Sequence, residues 1–242
     1  MKSRILNQKN AAEEPASRPA TSTTEPAEAE MAVPMGRIGI HRATKETTID
    51  LELSLERGRI EISTGIGFFD HMLTQLAFHA GWSLILTCKG DLDVDDHHSV
   101  EDCAIALGKA FSALVPSPAG RTRFGTAFAP MDEALARAVV DISGRGCCVI
   151  EASFEAPRIG SLTSSNIPHF FRSFALNAGL TMHLDIIRGE NDHHRAEALF
   201  KAAALALRTA LAPAEAAFSA STKGEPIIMS GTKEHSMERD NE

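Results

Sequence analysis

Two pentapeptides hold the clearest chemistry in the 242-residue sequence: His97-His98-Ser99-Val100-Glu101 and His193-His194-Arg195-Ala196-Glu197. Read as helix starts, each places its glutamate one turn from an imidazole, because residues three and four apart share a helix face. Adjacent histidines diverge by about 100° around the axis. The two imidazoles of one pair therefore cannot easily grip one ion, and each motif is expected to serve two different ions. His71 precedes His97 by 26 positions (97 − 71), and His169 precedes His193 by 24 (193 − 169). The sum is six histidines and two glutamates, or three His and one Glu for each of two ions. Mixed nitrogen and oxygen donors with open positions suit octahedral Mn(II) or Fe(II), with Zn(II) as an alternative; without thiolates, a soft-metal or iron–sulfur site is disfavoured. An isolated His-His pair is ordinarily just solvated. Two copies, each with a matched upstream histidine, point to metal. His79 reads either as lining a site or as capping a helix end, and His41, His183 and His235 as structural or solvated.

Cations supply a second clue. Arg123 and Arg145 both lie in glycine-flanked turns, Ser221-Thr222-Lys223-Gly224 is a compact loop with hydroxyls and a lysine, and Lys201 follows Glu197 by one turn. Arginine forks, lysine and serine hydroxyls are the groups a phosphate monoester needs. Taken singly, each is an ordinary surface cation.

The elements that must position these residues repeat. Alternation over Ile49, Leu51, Leu53 and Leu55 marks a half-buried strand,. Arg57-Gly58-Arg59 is expected to turn it back into Ile60–Ile62 as a hairpin. A helix over Phe68–Phe78 ended by Gly81, a strand over Trp82–Thr87, and a helix through Val100–Leu114 stopped by Pro116 and Pro118 complete the first half,. The second half repeats this order. Val139–Ser143 and Cys147–Ala152 flank Gly144-Arg145-Gly146 as a second hairpin; then come a helix over Phe170–Ala178 ended by Gly179, a strand over Leu180–Ile187, and a helix over Arg195–Leu211. The expected fold class is α+β, internally duplicated, with β-β-α-β-α halves whose mixed sheets carry helices packed on one face. The halves are expected over 36–128 and 129–226. The Ala/Glu/Pro/Ser/Thr-rich stretch within 1–35 reads as a disordered tail and 227–242 as a polar C-terminal tail,.

Composition excludes other classes. A formal net charge of −8 argues against a nucleic-acid partner,. No apolar run approaches the ~20 residues that span a bilayer, so no membrane role is expected. Four cysteines without CxxC spacing suit a reducing cytoplasm,.

Five segments together are similar to the imidazoleglycerol-phosphate dehydratase family: Thr64–Leu73 (TGIGFFDHML), Asp95–Asp102 (DDHHSVED), Pro130–Leu135 (PMDEAL), Asp141–Arg145 (DISGR) and His193–Glu197 (HHRAE). The resemblance runs in order from about Arg37 to Lys223. It implies a duplicated α+β chain that assembles into a homo-oligomeric shell of 24 subunits, with two Mn2+ per active site at subunit interfaces. The implied metal ligands are His71, His97, His98, Glu101, His169, His193, His194 and Glu197, the eight that the repeat had selected. The implied substrate contacts are Glu46, the 71–79 segment with Gln75 and His79, Arg123, Arg145, Lys201, Ser221 and Lys223. The implied reaction, in histidine biosynthesis, removes water from a small phosphorylated imidazole, imidazoleglycerol phosphate, through a dimanganese-bound imidazolate, and yields a ketone phosphate. Glu46, in Lys45-Glu46-Thr47, is the implied acid/base. Two departures stand out: Gly146-Cys147-Cys148 replaces the Pro and aromatic residue that family members often have after Ser143-Gly144-Arg145, and the N-terminal tail is extra. No phosphatase domain is seen, so a bifunctional form is not expected. A His-rich metal-binding shell would explain the histidines without the cations; another dimetal enzyme on a phosphate ester would ordinarily rely on Asp-rich sites.

Overall fold

The structure, a computed structural model, describes residues 36–214. The expected tails at 1–35 and 227–242, the end of the second half from 215 to 226, and with them Ser221, Lys223 and His235, lie outside the described residues.

The first sheet has the order β1-β2-β4-β3. β1 (Arg37–Ala43) and β2 (Thr47–Ser54) form an antiparallel hairpin, β4 (Ser83–Gly90) pairs antiparallel with β2, and β3 (Ile60–Ser63) pairs parallel with β4. Helix α1 (Gly67–Ala80) makes the crossover from β3 to β4, as parallel neighbours require,. α1 ends at Gly81, whose left-handed φ of 76° costs glycine no Cβ clash,. Helix α2 (His97–Leu114) follows β4.

The second sheet repeats this plan with β5 (Phe124–Met131), β6 (Ala134–Asp141), β10 (Thr181–Arg188) and β7 (Cys147–Glu151), in the order β5-β6-β10-β7. Helix α3 (Asn166–Ala178) connects to β10 and ends at Gly179 with φ 67°; helix α4 (Asp192–Leu211) closes the half. A short hairpin of β8 (Arg158–Ile159) and β9 (Leu162–Thr163) precedes α3.

The duplicated α+β architecture is as expected, but three details differ. Ile60–Ile62 does not return as a hairpin on β2, and β7 does not pair with β6: β4 and β10 insert between them. Burial explains this. β4 and β10 carry fully buried Leu84, Leu86, Met182 and Leu184, so they occupy central places, whereas β3 and β7 are short, alternately half-exposed edges. Each half also begins with a strand that the sequence pattern did not reveal, giving β-β-β-α-β-α. β1 and β5 are edge strands, where weak patterning and Pro130 are tolerated,. β5 spans Phe124–Met131, so the division expected between residues 128 and 129 falls inside a strand.

The helices of the two halves face one another, α1 against α4 and α2 against α3, with a sheet outside each pair. Phenylalanines join the halves at this seam. Phe170 on α3 meets Phe69 on α1 edge-on at 5.5 Å and Phe200 on α4 at 5.4 Å, and Phe174 meets Phe111 on α2 at 6.0 Å. All five rings are essentially fully buried.

Candidate metal centres

Both paired-histidine motifs open the helix that follows the last strand of their half, an inner strand of its sheet, α2 after β4 and α4 after β10. Asn191 caps α4, its side-chain oxygen accepting from the backbone N–H groups of His193 and His194 at 2.9 and 3.3 Å,. Because α1 packs on α4 and α3 on α2, each upstream histidine meets the motif of the opposite half. His71 Nε2 lies 3.1 Å from Glu197 Oε2, and His193 Nε2 lies 3.3 Å from the same oxygen. In the other group, His169 Nε2 lies 3.1 Å from Glu101 Oε1 and His97 Nε2 lies 3.9 Å from Glu101 Oε2, with the two rings stacked at 4.6 Å. Each group therefore takes one imidazole from one half and a His-x-x-x-Glu turn from the other.

The donor set fits a divalent ion. In each group one nitrogen or oxygen per residue lies within 4.8 Å of the others. Donors about 2.0–2.2 Å from an ion are at most about 4.4 Å apart, so closing the group requires shifts of a few tenths of an ångström. Two neutral imidazoles and a carboxylate suit Mn(II), Fe(II) or Zn(II).

The groups differ electrostatically. Glu197 is buried and its Oε1 receives Lys201 Nζ at 2.5 Å. Burial alone would raise its carboxyl, but the bonds from Lys201 and His71 outweigh burial and hold it below the ordinary range. His79, whose Nε2 donates to Gln75 Oε1 at 3.2 Å on α1, is lowered by burial and by the nearby Lys201 charge. Gln75, His79 and Lys201 thus line the same α1–α4 face as one metal group. His79 belongs to this face rather than merely capping the helix.

His98 and His194 turn away from both groups, as the divergence of adjacent residues demands. His98 Nδ1 lies 3.0 Å from Asp91 Oδ2, and its Nε2 lies 3.9 Å from Glu46 Oε1. Asp91 raises its pKa above the usual imidazole value. His194 Nδ1 lies 2.8 Å from Glu133 Oε2, which raises that ring too, and its Nε2 lies 3.8 Å from Asp132 Oδ2. Glu133 is held down to about 2, by the Asn191 backbone N–H foremost and by His194. Of the eight expected ligands, six gather as two triples within the chain, and the other two stand apart with Nε2 facing Glu46 and Asp132.

Glu46 sits in the β1–β2 turn. The turn is fixed by the Thr44 hydroxyl, which accepts from the backbone N–H groups of Glu46 and Thr47, and by the Thr47 hydroxyl, which donates to Asp102 at 2.5 Å. Arg123 and Arg145 are not brought to their own chain's metal groups. The Arg123 backbone N–H bonds Ala210 at the far end of α4, roughly 25 Å along the helix from His193 at 1.5 Å per residue,. Its guanidinium meets Asp141 at 2.7 Å and lies over the Phe124 ring. Arg145 stands exposed beside Ser143, next to the C-terminal end of α3.

Sequence reasoning missed Asp91, Glu133, Asp96 and Asn166. Asn166 Oδ1 accepts from His97 Nδ1 at 3.2 Å, and buried Asp96 binds the Thr163 hydroxyl at 2.6 Å, tying the start of α2 to the β8–β9 hairpin. Glu133 and Asn166 arrive from distant segments, so no spacing announces them, whereas Asp91 and Asp96 lie within seven residues of the His97-His98 pair and are marked only by their charge.

A duplicated α+β chain whose helix seam builds two histidine–carboxylate groups, one from each helix pair, defines the class. Residues 64–207, more than half of the chain, match the profile of the family described as "Imidazoleglycerol-phosphate dehydratase". A relative of that name from Candida glabrata is 50% identical over 204 residues, covering 76% of this chain and 97% of its own. The crystal structure of the Staphylococcus aureus imidazoleglycerol-phosphate dehydratase aligns with a TM-score of 0.68 and 38% identity over 74% of this chain and 99% of that one. The Pyrococcus furiosus structure aligns with a TM-score of 0.66 and 37% identity over 76% and 99%. The chain belongs to the imidazoleglycerol-phosphate dehydratase family.

Proposed function

We propose that this protein is a metal-dependent hydro-lyase that removes water from imidazoleglycerol phosphate in histidine biosynthesis, giving an imidazolyl ketone phosphate. The observation that carries the reading is the crosswise pair of groups, His71/His193/Glu197 and His97/Glu101/His169, in a chain of this family. Each group is one donor short of the three imidazoles and one carboxylate that the repeat supplies per ion. His98 and His194, partly exposed and outside both groups, are the missing donors, offered to groups on neighbouring copies. The shell of 24 subunits that the resemblance implies would bring neighbouring copies' rings to these groups. Arg123, held by Asp141 far from its own chain's groups, is assigned to a neighbour's substrate in that shell.

The reaction is difficult because the carbon-bound proton to be lost has no adjacent carbonyl to acidify it. Two Mn2+ ions held by the eight ligands would supply Lewis-acid stabilisation of negative charge on the substrate's ring nitrogens. Glu46, the acid/base that the resemblance implies, lies 3.9 Å from His98 Nε2 and takes the proton in this reading, and the enol left by loss of water becomes the ketone,. Gln75, His79 and Lys201 border the group that Glu197 serves. Arg123, Arg145, Ser221 and Lys223 hold the phosphate, fixing the reacting carbons by charge-assisted hydrogen bonds. A storage shell explains the histidines but gives these cations no task. The four free cysteines support a reducing compartment, the cytoplasm,.

The test is an assay of the purified full-length chain on imidazoleglycerol phosphate. Turnover in Mn(II), its loss on chelation and its return on adding Mn(II) are the expected outcome. Full turnover by chelated protein rejects the metal scheme, and no turnover under any metal rejects the activity.

A further inference from the structure

The metal reading leaves open what aims His98 and His194. Neither belongs to a group within its own chain, and both rings sit partly in solvent, with side-chain exposures of 31% and 25%. Such rings would be free to rotate and to carry the proton on either nitrogen unless something held them.

Glu133 is built to hold one of them. It occupies the tight β5–β6 turn, and its two oxygens have separate tasks. Oε1 accepts from the backbone N–H groups of Glu190 and Asn191 at 3.1 and 2.9 Å, while Oε2 faces His194 Nδ1 at 2.8 Å. With one oxygen anchored to the backbone that leads into α4, the carboxylate cannot swing away from the ring. An ionised carboxylate only accepts hydrogen bonds, so the proton must sit on His194 Nδ1, which leaves the lone pair on Nε2. Asn191 grips the same segment from the other side by capping the His193 and His194 N–H groups. In the other half, Asp91 faces His98 Nδ1 at 3.0 Å with the same consequence.

The two halves have divided this work differently. Glu46 and Glu133 both directly precede the second strand of their half, yet Glu46 lies on the Nε2 side of His98 and Glu133 on the Nδ1 side of His194. Asp132, beside Glu133 in the same turn, faces His194 Nε2 at 3.8 Å much as Glu46 faces His98 Nε2, so Glu133 is an additional carboxylate of the second half on the Nδ1 side and not a second copy of Glu46.

We propose that Glu133 is a positioning residue which fixes the tautomer and orientation of His194 so that Nε2 is presented as a metal donor, and that Asp91 does the same for His98. Carboxylates in this place behind a ligating imidazole ordinarily change metal affinity by about 10–100-fold. The inference rests on the proposed metal sites and adds residues to them that the ligand set does not include.

The experiment is Mn(II) titration of the full-length metal-free chain, with free Mn(II) read by electron paramagnetic resonance and bound Mn(II) by electron spin echo modulation from imidazole nitrogen. Glu133→Gln keeps one carbonyl oxygen, which can serve the backbone N–H groups or His194 but not both. The expected result is selective. One of the two Mn(II) per chain should bind about 10–100-fold more weakly, with reduced nitrogen modulation, while the other is unchanged. Asp91→Asn should weaken the complementary ion, and it carries the test alone if Glu133→Gln fails to fold. Affinities within twofold of wild type for both ions, with unaltered modulation, overturn the positioning role and leave the metal sites standing. Equal weakening of both ions by either variant marks a general structural effect and also overturns it. A wild-type chain that binds no Mn(II) overturns the metal reading, and this inference with it.

Discussion

Single side chains in this protein have been given paired tasks by the chemistry of the imidazole. One ring nitrogen of His97, His98 or His194 is taken by Asn166, Asp91 or Glu133, and the other is the one we propose for an ion. The same partners set a pH dependence. Asp91 and Glu133 raise His98 and His194 above the ordinary imidazole value of 6.5, so each ring keeps its second proton to a higher pH than a free histidine. A metal must displace that proton. Mn(II) affinity is therefore expected to fall, as pH is lowered, at a higher pH than free imidazole would dictate. Titrations between pH 5.5 and 8.5 check this, and an affinity flat across that range contradicts it.

At the scale of elements, the start of α2 and the turn carrying Glu46 are tied together by one buried carboxylate. Asp102 receives the Thr47 hydroxyl at 2.5 Å and both Arg42 terminal nitrogens, at 2.9 and 2.7 Å, with 8% of its side chain exposed. Position 198, its counterpart on α4, is a fully buried alanine, so only the first half carries this tie. Asp102→Ala leaves Arg42 uncompensated and half-buried. We expect a loss of about 3 kcal/mol, the lower end for breaking a buried pair because Arg42 is partly exposed, and a fall in kcat larger than any change in KM as the Glu46 turn loosens. Chemical denaturation and steady-state kinetics measure the two. An unchanged denaturation midpoint would show that the tie is not structural.

For the whole molecule, the phenylalanine seam is what makes two halves into one site-bearing body, because each metal group draws on both. Phe170 is central, touching Phe69, Phe171, Phe174 and Phe200 and fully buried. Phe170→Ala should cost about 3–5 kcal/mol through the lost burial and the cavity left between the helix pairs. It lies beside His169, so Mn(II) affinity should fall along with stability. A thermal midpoint within a degree or two of wild type would mean that the seam repacks.

The sequence by itself determined the repeat, the motifs that open α2 and α4 and the residue types of the candidate donors, since these depend on local period and on residue chemistry, while α3 begins at Asn166, four residues before the period made it visible. His97 and Glu101 share a helix face whatever lies around them. The order of the strands was decided only in three dimensions, where the most apolar strands, β4 and β10, take the centre of each sheet and separate segments that read as hairpins. So was the exchange of partners that sets His71 beside Glu197 and His169 beside Glu101, because it follows from which helices pack together. The anchors of the imidazoles were equally invisible along the chain: a carboxylate 61 residues from the ring it holds, as Glu133 is from His194, becomes a neighbour only when the backbone closes around both.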